Sequence, residues 1–242
     1  MPLQKFVFTF LMLIGLLGFG QAQEVIGEVE GLYNRSEQIY STDDLLVNGQ
    51  IYIPTRPRAK GSPYYGGKQF VEGSVQIRGR QFNGVLLRYN LEDQRIILRA
   101  AVESGKYVTI LLNSNLIDHF TINGQHFINV DSYFKDTEIS GFYTLVYEGS
   151  FTFLIKYEKT FRAVYDNQTP NGSYTEMKSD YFIFDENKLV MVTKKKALLY
   201  YFSPKKKEIK NFMRQQKINY KNAGITSLNQ LMKYCDSVST NK

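Results

Sequence analysis

The phrase Val47-Asn48-Gly49-Gln50-Ile51-Tyr52-Ile53 returns as Ile122-Asn123-Gly124-Gln125-His126-Phe127-Ile128, and Ile77-Arg78-Gly79-Arg80-Gln81-Phe82 is a looser third copy. An Asn-Gly pair between apolar β-formers is the strongest short-range hairpin signal, because a type I′ turn needs positive φ at both central residues. A chain punctuated this way is directed toward antiparallel pairing. The three turns lie 30 and 45 residues apart, so internal duplication and convergence on a good turn phrase both stay open.

Other segments extend the pattern across residues 24–202. Arg95 to Ala101 and Tyr107 to Leu112 are rich in Ile, Leu and Val and flank a Glu103-Ser104-Gly105 turn. Phe142 to Tyr147 and Phe151 to Tyr157 flank Glu148-Gly149. A two-residue turn there sets Val146 opposite Phe151, Thr144 opposite Phe153 and Phe142 opposite Ile155, which makes one face almost wholly apolar. Tyr181 to Phe184, Leu189 to Thr193 and Leu198 to Phe202 complete the strands, and the stretches Pro54 to Gly67 and Asn167 to Ser173 are long loops.

The period then changes. Ser203-Pro204 offers a cap followed by proline at the first helical position, and Ile209, Phe212 and Met213 recur at helical spacing. A second helix starts near Thr226 or Ser227, with Leu228, Leu231, Met232 and Cys235 on one stripe. The fold class is therefore mainly β: an antiparallel meander of hairpins, either a curved sheet or an irregular barrel, closed by two C-terminal α-helices. Residues 23–202 form the β domain and 203–242 a basic helical segment packed on it.

The N-terminus carries an address. Met1 to Lys5 is a short charged region, Phe6 to Phe19 is apolar, and Gly20-Gln21-Ala22 places small residues at a cleavage site, so residues 1–22 have the pattern of a secretory signal peptide. The expected location is periplasmic or extracellular, with no membrane span once the signal is removed. Cys235 is the single cysteine, so no disulfide framework supports the fold, and on its helical stripe it is a small buried hydrophobe rather than a reactive thiol.

Charge divides along the chain. Residues 23–186 hold 16 basic and 21 acidic side chains, whereas residues 187–242 hold 13 basic and 2 acidic. Lys194-Lys195-Lys196, Lys205-Lys206-Lys207 and the stretch Lys210 to Lys217 carry the excess. Such a run is either a solvated face or an electrostatic contact with something anionic. The binding candidates here are Lys205, Lys206, Lys207, Lys210 and Arg214. A second candidate is the basic loop Arg56 to Gly67, where Tyr64 and Tyr65 either stack on a ligand or plug the end of the core.

Chemistry is otherwise sparse. The sequence has no phosphate-binding glycine loop, no Gly-x-Ser-x-Gly elbow and no His-Glu-x-x-His, and no cofactor is expected. Across an Asn123-Gly124 turn, His119, Thr121 and His126 share the polar face, with the two imidazoles diagonal and roughly 7 Å apart at the backbone. Two ligands alone do not make a usual metal site. The acidic pairs Asp43-Asp44, Glu92-Asp93 and Asp185-Glu186 fit turns, since alternation points sequence neighbours apart.

Gly61-Ser62-Pro63-Tyr64-Tyr65, Gly73-Ser74-Val75, Gly79, Phe82, Gly84-Val85, Leu87 to Leu91, Gln94 and Ile96 to Leu98 resemble an uncharacterised family of exported β-rich proteins common in Bacteroidota. The ending, with Ile218-Asn219-Tyr220 and Leu228 to Tyr234, is similar to that of the same family. The resemblance implies a bacterial envelope placement and transfers no activity or site residue. The expected function is a non-enzymatic interaction protein of the cell envelope. Its partner would be an envelope protein or an anionic envelope component, and the export signal argues against nucleic acid. The alternative is a binder of an apolar small molecule or lipid inside a curved sheet lined by Phe and Tyr.

Overall fold

The computed structural model describes residue 46 and residues 49–101, 106–134 and 139–240. The expected signal peptide, Asn48, the pair Asp43-Asp44 and the expected Glu103-Ser104-Gly105 turn lie outside the described residues.

The strands are β1 (Gln50–Ile51), β2 (Val71–Ile77), β3 (Arg80–Asn90), β4 (Arg95–Ala101), β5 (Tyr107–Leu111), β6 (Ile117–Ile122) and β7 (Gln125–Asn129), then β8 (Phe142–Glu148), β9 (Thr152–Glu158), β10 (Phe161–Arg162), β11 (Ser173–Tyr174), β12 (Lys178–Asp185) and β13 (Lys188–Met191). The helices are α1 (Val130–Tyr133), α2 (Lys195–Tyr201), α3 (Lys206–Gln215) and α4 (Ile225–Thr240). Eleven strands make one open antiparallel sheet in the order β1-β5-β4-β3-β2-β6-β7-β8-β9-β12-β13, and β10 pairs with β11 beside it. Two meanders thus run outward from the central β2–β6 pair, joined by the connector from β5 back to β6.

Two of the expected hairpins rest on their turn residues. Arg78 and Gly79 have φ of 50° and 78°, and Asn123 and Gly124 have φ of 51° and 71°. The flanking pairs are Ile77 with Arg80 and Ile122 with Gln125, so both are two-residue turns. At Gly124 no atom of the described residues lies within 4 Å of where a Cβ would sit. Gly124→Ala therefore tests backbone strain alone, and chemical denaturation should show a loss of about 1–2 kcal/mol.

The sheet is strongly curved. On a flat sheet Tyr89 in β3 and Phe142 in β8 would stand four strand spacings apart, roughly 19 Å. Their ring centroids are 6.0 Å apart, and Tyr89 also meets Phe120 at 5.1 Å and Phe127 at 5.2 Å. The β5–β6 connector needs the same curl, because Ser114–Leu116 is wound into a 3₁₀ turn and the link cannot cross a flat sheet. At one end the Gln94 side-chain amide donates to the carbonyls of Leu91 and Tyr157, linking the β3–β4 turn to the end of β9. The rings of Tyr89, Phe120, Phe127 and Phe142 pack together on the concave face between β3 and β8.

The helices complete this core. Ile209 and Met213 of α3 and Leu228, Leu231, Met232 and Cys235 of α4 join the cluster that holds Tyr89, Phe120 and Phe127. Burial pushes the Cys235 thiol up to about 12, as befits a packed hydrophobe. Asp236 fixes α4 to the β8–β9 turn, accepting from the Tyr147 hydroxyl at 2.5 Å and from the Ser150 backbone N–H at 3.0 Å.

Two expectations need correction. Leu198 to Phe202 is not the last strand: Lys195–Tyr201 is helical, and three helices follow the sheet instead of two. A short unbroken apolar run has no period of its own. The helix buries Leu198 and Leu199 and leaves Tyr200 82% exposed. The β8–β9 register also differs. Thr144 pairs with Ile155 instead of Phe153, and Glu148 pairs with Thr152 across a three-residue turn. A bulge between Leu145 and Tyr147 absorbs the extra residue and lets Val146 and Tyr147 both pack on the main core.

Candidate functional site

Two regions carry the residues singled out above. The first is the helical cap. Lys207, Lys210 and Arg214 recur at i, i+3 and i+7 on α3, on the flank beside buried Ile209 and Met213. They are exposed, as are Lys206 and Lys217. Lys205 is half-buried and pairs with Glu208 at 3.4 Å, and the Arg214 guanidinium donates to the Asn211 side-chain oxygen at 3.0 Å. One helix earlier, Tyr200 stands a single turn beyond Lys196. At the start of α2, Lys194, Lys195 and Lys221 border a groove lined also by Ile218 and Tyr220.

The second region is the loop of residues 52–68. Its two tyrosines behave differently from each other. Tyr65 sends its ring into the core end, against Phe127 at 5.2 Å and Tyr157 at 5.4 Å, and its backbone N–H donates to the Tyr89 carbonyl. Tyr64 is 6% exposed. Its hydroxyl shares a 2.9 Å hydrogen bond with that of Tyr52, and the Arg88 guanidinium lies over its ring at 4.4 Å. Neither ring is a free stacking platform. Together they pin the loop to the convex side of β3, leaving a cleft lined by Tyr52, Pro54, Arg56, Pro63, Tyr64, Lys68, Arg88 and Tyr174.

Arg88 was not among the candidates. Alternation places it outside, because its neighbours Leu87 and Tyr89 are fully buried in the core. Its guanidinium lies over the rings of Phe70 at 3.9 Å and Tyr64 at 4.4 Å. Arg99 continues the stack, 5.9 Å from Phe70 and 4.2 Å over Tyr107. Its three rings, Tyr64, Phe70 and Tyr107, and its two arginines, Arg88 and Arg99, are scattered between residues 64 and 107, so no sequence motif announces the ladder. On the opposite wall, Arg56 is already neutralised: its Nη1 donates to both Glu92 oxygens at 2.9 and 3.1 Å, and Tyr174 donates to the same carboxylate.

The histidines fall where the turn places them. Thr121 pairs with His126, and the two imidazole centroids are 4.9 Å apart. Burial first, and His119 second, hold His126 below the ordinary histidine value. Among the described residues no three His, Cys, Asp or Glu side chains cluster as a metal site.

No family model matches the chain, and comparison with curated proteins and with solved structures finds no match either.

Proposed function

We propose that this chain is an exported, non-enzymatic interaction protein of the bacterial cell envelope, and that it docks through its C-terminal helical cap on an anionic surface. The observation that carries this reading is the exposed run Lys206, Lys207, Lys210 and Arg214 on a helix that the core anchors through Ile209 and Met213. Only one of the cap's cations, Lys205, has an ion-pair partner among the described residues. Tyr200, at 82% exposure beside Lys196, favours lipid headgroups as the anion, since an amphipathic ring is stable at headgroup depth. No helix among the described residues is long and apolar enough to cross a membrane, so the contact proposed is peripheral.

Each basic residue near an anionic bilayer contributes about 1 kcal/mol. Lys206→Glu, Lys207→Glu and Lys210→Glu together should therefore weaken binding of the processed chain to phosphatidylglycerol vesicles by on the order of a hundredfold, measured by co-sedimentation. Phosphatidylcholine vesicles should not sediment the wild type. Equal binding by the triple variant would overturn the proposal, and capture by a soluble polyanion in preference to vesicles would reassign the partner to a glycan.

A further inference from the structure

The cleft beside Arg88 lies on the convex side of the first meander, on elements separate from the helical cap, and is independent of the docking proposal. We infer that it is a binding site for a small organic carboxylate, with Arg88 as the fork that receives the anion.

The Nε of Arg88 is buried and makes no hydrogen bond, and no ion pair is formed by this guanidinium among the described residues. The rings of Phe70 and Tyr64 lie against it but supply no counter-charge. A cation drawn partly out of water is ordinarily matched by a carboxylate. Glu92 and Asp93, the acids of the β3–β4 turn, make their hydrogen bonds to other groups. Glu92 holds Arg56 and Tyr174, and Asp93 accepts from the Asn90 side-chain amide at 2.9 Å. Arg88 itself lines the cleft, on a central strand whose position the core sets.

The shape selects the ligand. The cleft holds about 230 Å³ and is walled by Tyr52, Pro54, Pro63, Tyr64 and Tyr174, which suits a compact acid with an apolar or ring-shaped body. Tyr52 and Tyr64 spend one proton on each other and keep a second to donate. Burial and the neighbouring phenol hold the Tyr52 pKa well above the usual tyrosine range, so it remains a neutral donor. One uncompensated guanidinium with a planar fork matches one carboxylate. A phosphate dianion would leave its second charge to Lys68, which sits exposed at the rim.

The test uses the full processed chain, ¹⁵N-labelled, titrated with benzoate, glucuronate and glutarate, with benzamide and glucose as neutral counterparts and inorganic phosphate as the competing anion. The Arg88 Nε–Hε cross-peak, assigned by its loss in Arg88→Lys, reports directly on the fork. At least one carboxylate should move that peak to saturation. The neutral counterparts should not move it, and phosphate should bind at least tenfold more weakly. By calorimetry Arg88→Lys should lose at least tenfold in affinity for the same carboxylate. A peak that no carboxylate moves overturns the inference, as does one that benzamide, glucose or phosphate shifts equally. Undiminished binding by folded Arg88→Lys overturns it as well, and the wild-type titration stands even if that variant is poorly stable.

Discussion

Tyr89→Ala should cost about 3–5 kcal/mol of stability, read as a lowered denaturation midpoint in urea at unchanged slope. Tyr89 is fully buried, and its ring touches Phe120, Phe127 and Phe142, each from a different strand. Removing it takes away the element that brings β3 against β6, β7 and β8 across the concave face. The hydroxyl has a second role. It donates to the Gln94 side-chain oxygen at 2.6 Å, and the amide of Gln94 reaches the Tyr157 carbonyl. Tyr89→Phe keeps the ring and leaves that oxygen without its donor, which should cost about 1–3 kcal/mol. The ordering of the two variants separates ring packing from the polar tie. If Tyr89→Ala were no worse than Tyr89→Phe, the curl would not depend on this ring.

The same residue shows what a sequence does and does not disclose. Tyr89 sits in an alternating strand, so its inward direction follows from period alone. That it meets a ring four strands away follows from curvature, which no local pattern encodes. Turns fared best because their requirement is local: Arg78-Gly79 and Asn123-Gly124 need positive φ and have it. The α4 stripe was equally plain, since Leu228, Leu231, Met232 and Cys235 repeat at helical spacing and all four are buried. Register failed at β8–β9 because one extra residue in a turn and one in a bulge compensate each other, leaving the inward faces almost unchanged. Leu198 to Phe202 failed for want of a period. In the loop, Tyr64 and Tyr65 were correctly marked as unusual, yet the charged centre of the cleft is Arg88, which looked like any outward residue of a strand. Its surroundings assemble only when Phe70 and the 52–64 loop fold onto β3.

Leu231→Asp should lose 4 kcal/mol or more, on the order of the cost of leaving an unpaired polar group in a sealed core. Leu231 is fully buried within the cluster that also holds Tyr89, Ile209 and Met213. The consequence reaches beyond α4, because helix and sheet residues share one buried cluster on the concave face. Helix and sheet are therefore expected to unfold together. Far-ultraviolet circular dichroism, weighted toward the helices, and near-ultraviolet tyrosine bands, weighted toward the sheet core, should give one midpoint in the wild type and one lower midpoint in the variant. Leu231→Ala, which removes volume without adding charge, should shift both signals by a smaller amount, about 2–5 kcal/mol. A variant whose helical signal melts early while the tyrosine bands keep the wild-type midpoint would make the cap a separate unit. The basic stripe of α3 would then have no fixed relation to the sheet. With a single transition, the face that Lys207, Lys210 and Arg214 present is set by the buried stripe beside it, and docking strength should fall in step with cap stability across the Leu231 series.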